Sequence, residues 1–350
     1  MNIALTGGGT AGHIMPNIAI LTALERHFSK VIYIGSEDSM EEKICKKENI
    51  LFYPTKTKKF DRKNLLKDLA LPHLLSRSRK EAEAILEKED ISLVFSKGGY
   101  AAVPAVLAAK RRRIPVVCHE SDRTLGLANR LTALFAKKVY TAFPDTRKKA
   151  EVLPTPIRQR IFEGKPFDLF PNAKPVLLFL GGSLGAKAIN DALSISLADL
   201  TKRYNVLHIG GASVLPIKTP SYVSVPFAED IENYFATADL VISRGGASTL
   251  GELTALGKRV LVIPLPKGPS RGDQVLNAAY YLARGAVSVL PQSELTPDNL
   301  LAAIKHTIMS RPPAPTYDRR TPKILADALF EIAKEGISAF EEKEAEHADF

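Results

Sequence analysis

The chain has 350 residues, 45% hydrophobic and 25% charged, enough apolar material for two ordinary cores and too patterned for a disordered chain. Cys45 and Cys118 are too few and too scattered for a disulfide framework or a thiolate metal site. The net charge of +10 is uneven: residues 1–165 carry 30 Lys and Arg against 18 Asp and Glu, whereas residues 166–350 carry 18 against 20. A basic first half implies that this half alone meets a polyanion. With no Trp and no alternation of aromatic and basic residues to stack on bases, an anionic membrane fits that charge better than nucleic acid.

Met1 to Ile20 lack the basic start, apolar core and cleavage site of a secretory leader and run straight into a strand and a glycine loop, the pattern of a cytoplasmic protein. No apolar run approaches the roughly 20 residues needed to span a bilayer, so membrane contact is expected from one side only. Short apolar runs then alternate with helical patterns, the mark of parallel sheets with crossover helices. Asn2–Thr6, Val31–Gly35, Leu93–Phe95, Pro115–Cys118 and Val139–Thr141 read as strands of a first sheet; Val176–Leu180, Val206–Ile209, Leu240–Ser243 and Val260–Pro264 read as strands of a second. Between them Pro144, Pro154, Pro156, Pro166, Pro171 and Pro175 mark a linker, with the boundary near Pro156 to Gly164. The expected division is a domain over 1–157, a second over 158–320, an amphipathic helix over about 321–338 and an acidic, disordered tail over 339–350. In doubly wound sheets ligands collect at the carboxyl ends of the strands, so two such halves facing a central cleft imply two ligands meeting between them.

Three loops could carry chemistry. Gly7-Gly8-Gly9-Thr10-Ala11-Gly12-His13 follows the first strand and opens a helix, where backbone amides and the helix dipole favour an anion such as a diphosphate. A glycine turn also serves merely to reverse the chain, and no Walker lysine follows, which excludes a P-loop ATPase. Gly181-Gly182-Ser183-Leu184-Gly185-Ala186 is its counterpart in the second half. Ser243-Arg244-Gly245-Gly246-Ala247-Ser248-Thr249 precedes a helix bearing Glu252, which would set small hydroxyls under a phosphate and a carboxylate one turn on for the two hydroxyls of a ribose. Glu252 equally reads as a solvated carboxylate, and His13, placed to act as a base or a phosphate donor, equally as a structural histidine. No Asp-x-Asp pair or His/Cys cluster is present to hold a metal against a diphosphate, so leaving-group charge falls to amides, dipoles and cations.

Taken together, Gly8 to His13, Gly98-Gly99-Tyr100, His119-Glu120-Ser121-Asp122, Gly181 to Ala186 and Ser243 to Glu252 resemble the bacterial peptidoglycan N-acetylglucosaminyltransferases of the MurG family, in the same order and over nearly the whole chain up to about Gly336. The resemblance implies the GT-B fold, an α/β fold of two Rossmann-like doubly wound domains, with the C-terminal helix crossing back to the first. It implies an inverting transfer of N-acetylglucosamine from UDP-N-acetylglucosamine to the C4 hydroxyl of the muramyl sugar of undecaprenyl-linked lipid I, giving lipid II and UDP. By position it assigns Gly8, Gly9, Thr10, Gly12, His13, Tyr100 and Asp122 to the acceptor. To UDP-N-acetylglucosamine it assigns Thr10, Gly12, Arg158, Ser183, Phe227, Ile231, Arg244, Ala247, Ser248, Thr249, Glu252, Asp273 and Gln274. His13 is the first choice of catalytic base and Asp122 the alternative. No tightly bound cofactor and no divalent metal for binding are implied. Expected partners are the two substrates, the anionic cytoplasmic face of the cell membrane, where the protein would lie peripherally, and other cell-wall or division proteins; nucleic acid is not expected.

Two positions depart from the family pattern. Ser121-Asp122 stands where some members carry Gln-Asn, which lets Asp122 compete with His13 as base, and Asp273 stands where a glutamine pair is common. For the lipid acceptor, Lys56, Lys58, Lys59, Arg62, Lys63 and Lys67 run into Leu65, Leu66, Leu69, Leu71, Leu74 and Leu75 and then Arg77, Arg79 and Lys80, apolar residues rimmed by cations suited to anionic lipid; the same leucines could pack an ordinary amphipathic helix on its sheet. Rival readings are another GT-B enzyme such as a diacylglycerol glucosyltransferase, a UDP-sugar 2-epimerase, and a nucleic-acid-binding module.

Overall fold

The computed structural model describes residues 1–57, 71–182, 185–211, 219–268 and 272–348. The chain divides into two compact units: Met1–Arg158 with Arg319–Phe350, and Gln159–Asp318. The first contains β1 (Asn2–Thr6), α1 (Ala11–Ala19), α2 (Leu21–Leu24), β2 (Lys30–Ser36), α3 (Met40–Lys47), β3 (Leu51–Thr55), α4 (Leu71–Lys88), β4 (Ile91–Ser96), α5 (Val103–Arg111), β5 (Val116–Glu120), α6 (Leu127–Thr132), β6 (Lys138–Thr141) and β7 (Glu151–Val152). Its strands form one parallel sheet in the order β3-β2-β1-β4-β5-β6-β7. The order reverses between β1 and β4, the place at which doubly wound sheets collect ligands.

Strands covered on both faces must be apolar throughout, and β1, β4 and β5 are buried along nearly their whole length. One face carries Ile3, Leu5, Phe95 and Val117 against α2; the other carries Ala4, Ile34, Val94 and Cys118 against α4 and α5. The first face is completed from the far end of the chain. Leu325, Ala326, Leu329 and Ala333 of α12 (Thr321–Ala348) pack fully buried into it. Burying four such side chains contributes on the order of several kcal/mol. The helix runs on to Ala348, ten residues past the expected end at 338, because Glu, Lys and Ala after Gly336 are strong helix formers with no glycine or proline among them. The acidic tail expected from 339 is thus helical in its backbone over those residues.

The second unit repeats the plan with β8 (Val176–Leu180), α7 (Lys187–Arg203), β9 (Asn205–Ile209), β10 (Tyr222–Val225), α8 (Ile231–Thr237), β11 (Leu240–Ser243), α9 (Ala247–Ala255), β12 (Arg259–Val262), α10 (Asp273–Leu282), β13 (Ser288–Val289) and α11 (Pro297–Met309). Its parallel sheet has the order β10-β9-β8-β11-β12-β13, reversing between β8 and β11. Both sheets therefore use the dinucleotide-fold order, with a reversal beside the glycine loops singled out in the sequence. The strands missing from the sequence reading, β3, β7, β10 and β13, lie towards the rims: β3, β7, β10 and β13 are the four edges. Pro54 in β3 has no N–H to donate, which an edge strand tolerates.

Candidate active site

In the first unit the β1–α1 loop and the Gly98-Gly99 loop after β4 meet backbone to backbone at the strand-order reversal. The Gly8 amide donates to the Gly98 carbonyl at 3.2 Å. Gly99 sits at φ +81°, and a side chain there would collide with the Gly8 carbonyl oxygen. The fully buried Glu41 of α3 reaches under the same loop and accepts from the Gly9 amide and the Ser36 amide, each at 3.3 Å. Two of the amides expected to face a diphosphate are thus engaged within the protein. An anion at this loop would meet the first turn of α1 instead, which starts at Thr10 with neither a side-chain cap nor an acidic residue.

His13 lies in that turn, partly exposed. Its Nδ1 is 3.1 Å from the Gly8 carbonyl and 3.2 Å from Thr10 Oγ1. A carbonyl only accepts, so Nδ1 carries the proton towards Gly8 and Nε2 is the basic nitrogen of the neutral ring. Tyr100 follows the Gly98-Gly99 pair, its ring lying against Gly9.

Behind these loops is a buried polar cluster, in which His119, Glu120 and Ser121 of the motif read in the sequence are joined by Lys97, which the sequence reading did not single out. Glu120, at the end of β5, accepts from the Asp122 amide at 3.0 Å, the Gly126 amide at 2.9 Å and Asn129 Nδ2 at 2.8 Å, which fixes the turn carrying Asp122. Beside it Lys97, at the end of β4, is 1% exposed and sets its Nζ 2.6 Å from His119 Nδ1 and 2.8 Å from Ser121 Oγ. His119 Nε2 donates to the Leu153 carbonyl at 3.0 Å, so Nδ1 is the acceptor facing Lys97. Burial, and then the Lys97 charge, holds the imidazole neutral well below its usual range. Burial also lowers the Lys97 ammonium to about 7, against the opposing pull of Glu120 and Asp122. Lys97 could have been noticed as a charged residue directly after an apolar strand run.

In the second unit Gly182 and Gly185 take φ values of +79° and +74°, and the Gly185 amide donates to the Gly182 carbonyl at 3.0 Å shortly before α7. Ser183 lies outside the described residues. On the other side of the reversal α9 begins at Gly246, with Ala247, Ser248 and Thr249 in its first turn, no side-chain cap, and Glu252 partly exposed on its second turn. These are the features a pyrophosphate and ribose call for. Gly245 must be glycine because a Cβ would meet the Gln274 carbonyl oxygen at 2.5 Å. Asn277 Nδ2 ties the Gly245 carbonyl to α10 at 3.1 Å, which brings Asp273 and Gln274 beside the loop. Gln274 Oε1 accepts from the Leu265 amide at 2.9 Å, so its NH2 is the part left for a sugar.

Other expected donor residues are placed less directly. Arg244 donates to the Ile263 carbonyl at 3.0 Å and to Gln292 Oε1 at 2.7 Å, clamping the ends of β11 and β12. Phe227 is 64% exposed and Ile231 opens α8. Arg158 is the last residue of the first unit rather than a member of the second. Among the described residues no His, Cys, Asp and Glu group could hold a metal ion.

Two doubly wound parallel sheets, each with a glycine loop at its reversal, define the architecture of the GT-B glycosyltransferases. Comparison with known proteins narrows the class. Residues 3–141 match the glycosyltransferase family 28 N-terminal domain and residues 176–345 the family 28 C-terminal domain. A Clostridium botulinum (strain Kyoto / Type A2) protein named UDP-N-acetylglucosamine--N-acetylmuramyl-(pentapeptide) pyrophosphoryl-undecaprenol N-acetylglucosamine transferase is 39% identical over 88% of this chain and 91% of its own. The protein of the same name from Lachnoclostridium phytofermentans is 41% identical over 87% of this chain and 90% of its own. The crystal structure of Acinetobacter baumannii MurG superposes with a TM-score of 0.68 at 27% identity, covering 94% of each chain. The chain belongs to glycosyltransferase family 28, and within it to the MurG group.

Proposed function

We propose that the protein transfers N-acetylglucosamine from UDP-N-acetylglucosamine to the C4 hydroxyl of the muramyl sugar of undecaprenyl-diphospho-N-acetylmuramyl-pentapeptide, releasing UDP and forming lipid II for peptidoglycan. The observation that carries this is 39–41% identity, across nearly the full length of both chains, to transferases named for that donor and acceptor.

The site residues have the following roles in this reading. The acceptor hydroxyl attacks the anomeric carbon from the face opposite UDP, inverting it, and His13 Nε2 takes the proton, with Asp122 the alternative base. The departing diphosphate is stabilised by the α9 helix start with Ser248 and Thr249, the ribose is held by Glu252, and the sugar by Gln274 with Asp273. No metal and no bound cofactor enter these steps; UDP-N-acetylglucosamine is a substrate.

The protein works peripherally at the cytoplasmic face of the membrane. Three considerations support that. The proposed acceptor is lipid-linked, the first 165 residues are strongly basic, and no helix among the described residues is long and apolar enough to cross a membrane. Of the surface expected over 56–80, residues 58–70 lie outside the described residues, and Arg77 and Arg79 pair with Glu81 and Glu83. A second apolar surface adjoins the acceptor loops: Leu127, Leu131 and Leu134 are exposed on and after α6, near Arg123 and Arg130.

The test is transfer of labelled N-acetylglucosamine to a muramyl-diphosphate lipid, with UDP-glucose as competing donor. Transfer only from UDP-N-acetylglucosamine, and UDP release only with the lipid present, is the expected result. Equal use of UDP-glucose, or UDP release without acceptor, would overturn the reading. His13→Ala is expected to lower kcat about 100-fold while UDP still binds.

A further inference from the structure

The buried lysine beneath the acceptor loops is not accounted for by the reaction as described. An ammonium taken out of water loses several kcal/mol of hydration, which is normally recovered by a carboxylate partner. Among the described residues Lys97 forms no ion pair. Its Nζ instead donates to a hydroxyl and a neutral imidazole. A methionine of similar length would fill the same space without that cost.

The position of Lys97 shows what it holds together. Its own amide donates to the Thr6 carbonyl at 2.9 Å, and it leads directly into Gly98 and Gly99, so its backbone belongs to the loop that packs on Gly8. Its side chain crosses from β4 to β5 and grips Ser121, the residue before Asp122. Thr155 Oγ1 donates to the same Ser121 hydroxyl at 3.1 Å, so Ser121 is held from two sides. Glu120 fixes the Asp122 amide through a separate bond. The turn bearing Asp122 is thereby tied to the glycine loops through Lys97 and to α6 through Glu120.

We propose that Lys97 is a positioning residue for the acceptor half of the transfer: by holding Ser121 against the end of β4 it sets the Asp122 turn in register with the Gly8 and Gly98-Gly99 loops that receive the acceptor. The inference rests on the function proposed above. It adds a residue that acts through Ser121 and touches neither substrate, and it places the effect on one substrate only. Ser248, Thr249, Glu252 and Gln274, the side chains assigned to the diphosphate, ribose and sugar of the nucleotide sugar, belong to the other unit.

The experiment compares the full-length native enzyme with Lys97→Met, Ser121→Ala and the double variant, measuring kcat, KM for the lipid acceptor, KM for UDP-N-acetylglucosamine, UDP affinity by calorimetry and thermal unfolding. Lys97→Met is expected to lower kcat/KM for the acceptor about 100-fold, and Ser121→Ala about 10-fold, with KM for the nucleotide sugar and UDP affinity unchanged. The double variant is expected to be no worse than Lys97→Met alone, because both substitutions break one link. Acceptor kcat/KM within about 3-fold of native in Lys97→Met, fully additive losses, or equal losses for both substrates would overturn the assignment. If Lys97→Met does not fold, Ser121→Ala decides alone, and unchanged acceptor kinetics in it would overturn the proposal. Absence of transfer by the native enzyme would overturn the proposed function and this inference with it, whereas native transfer with an unaffected Lys97→Met overturns the inference alone.

Discussion

The two units share a strand order but have built their reversal loops differently. In the second, the loop opening α9 is plain backbone: Gly246 would meet nothing on gaining a Cβ, no side chain caps the helix, and small hydroxyls fill its first turn. In the first, loop is locked on loop, with Glu41, Glu120 and Lys97 buried behind it. A nucleoside diphosphate can be held by dipoles and a few side chains on a simple scaffold. The loops assigned to the bulky acceptor rest on a buried, charged underlayer that hydrogen bonds keep in place.

Substitutions can break that contrast to different degrees. The largest effect is expected at Gly99→Ala. Its Cβ would strike the Gly8 carbonyl in a left-handed backbone region, so the first unit should lose about 3 kcal/mol or more and transfer should vanish. Calorimetry should still detect UDP binding; loss of both together would contradict the independence of the second unit's loop. Next is Glu252→Ala, which removes a charged hydrogen-bonding partner from a partly exposed site. It should raise KM for UDP-N-acetylglucosamine about 30-fold while the melting temperature changes little.

A smaller effect concerns pH. Lys97 loses its proton near 7 when folded but near 10.5 when unfolded, so over that window the unfolded chain binds more protons and stability rises with pH. His119, held neutral, adds a loss of stability below about 6.5. Thermal unfolding at pH 7.5 and 9 should show the native protein gaining about 2–4 °C that Lys97→Met does not gain. Equal gains in the two proteins would show that the buried amine is not the source. Smallest is Leu134→Glu on the exposed surface after α6, expected to weaken retention on anionic vesicles about 3-fold, with no change on neutral ones. Unchanged retention would move the membrane contact elsewhere on the first unit.

Much of this was legible from residue patterns, for a physical reason. Central parallel strands are covered on both faces, so runs such as Val176 to Leu180 and Asn2 to Thr6 are almost wholly apolar and stand out. Edge strands lack that signature: Leu51–Thr55 contains a proline and is half exposed, while Glu151–Val152 and Ser288–Val289 are two residues long. Glycine loops were visible because their conformations and close approaches exclude other residues. The burial of Lys97 beside the His119 to Asp122 motif was not, because nothing in a lone lysine says that it is buried. Burial of a charge is decided by partners far along the chain, as His119, Ser121 and Asn129 show.

The seat of α12 in the first core carries a consequence for biogenesis. The layer against β1, β4 and β5 contains Leu325 and Leu329, so the amino-terminal half leaves the ribosome with an open apolar face. The second unit, contiguous in sequence, has all its strands out before α12 is made and can close earlier. Synthesis order and completion order are thus inverted, and the unit whose strands are made earlier stays sticky until α12 arrives.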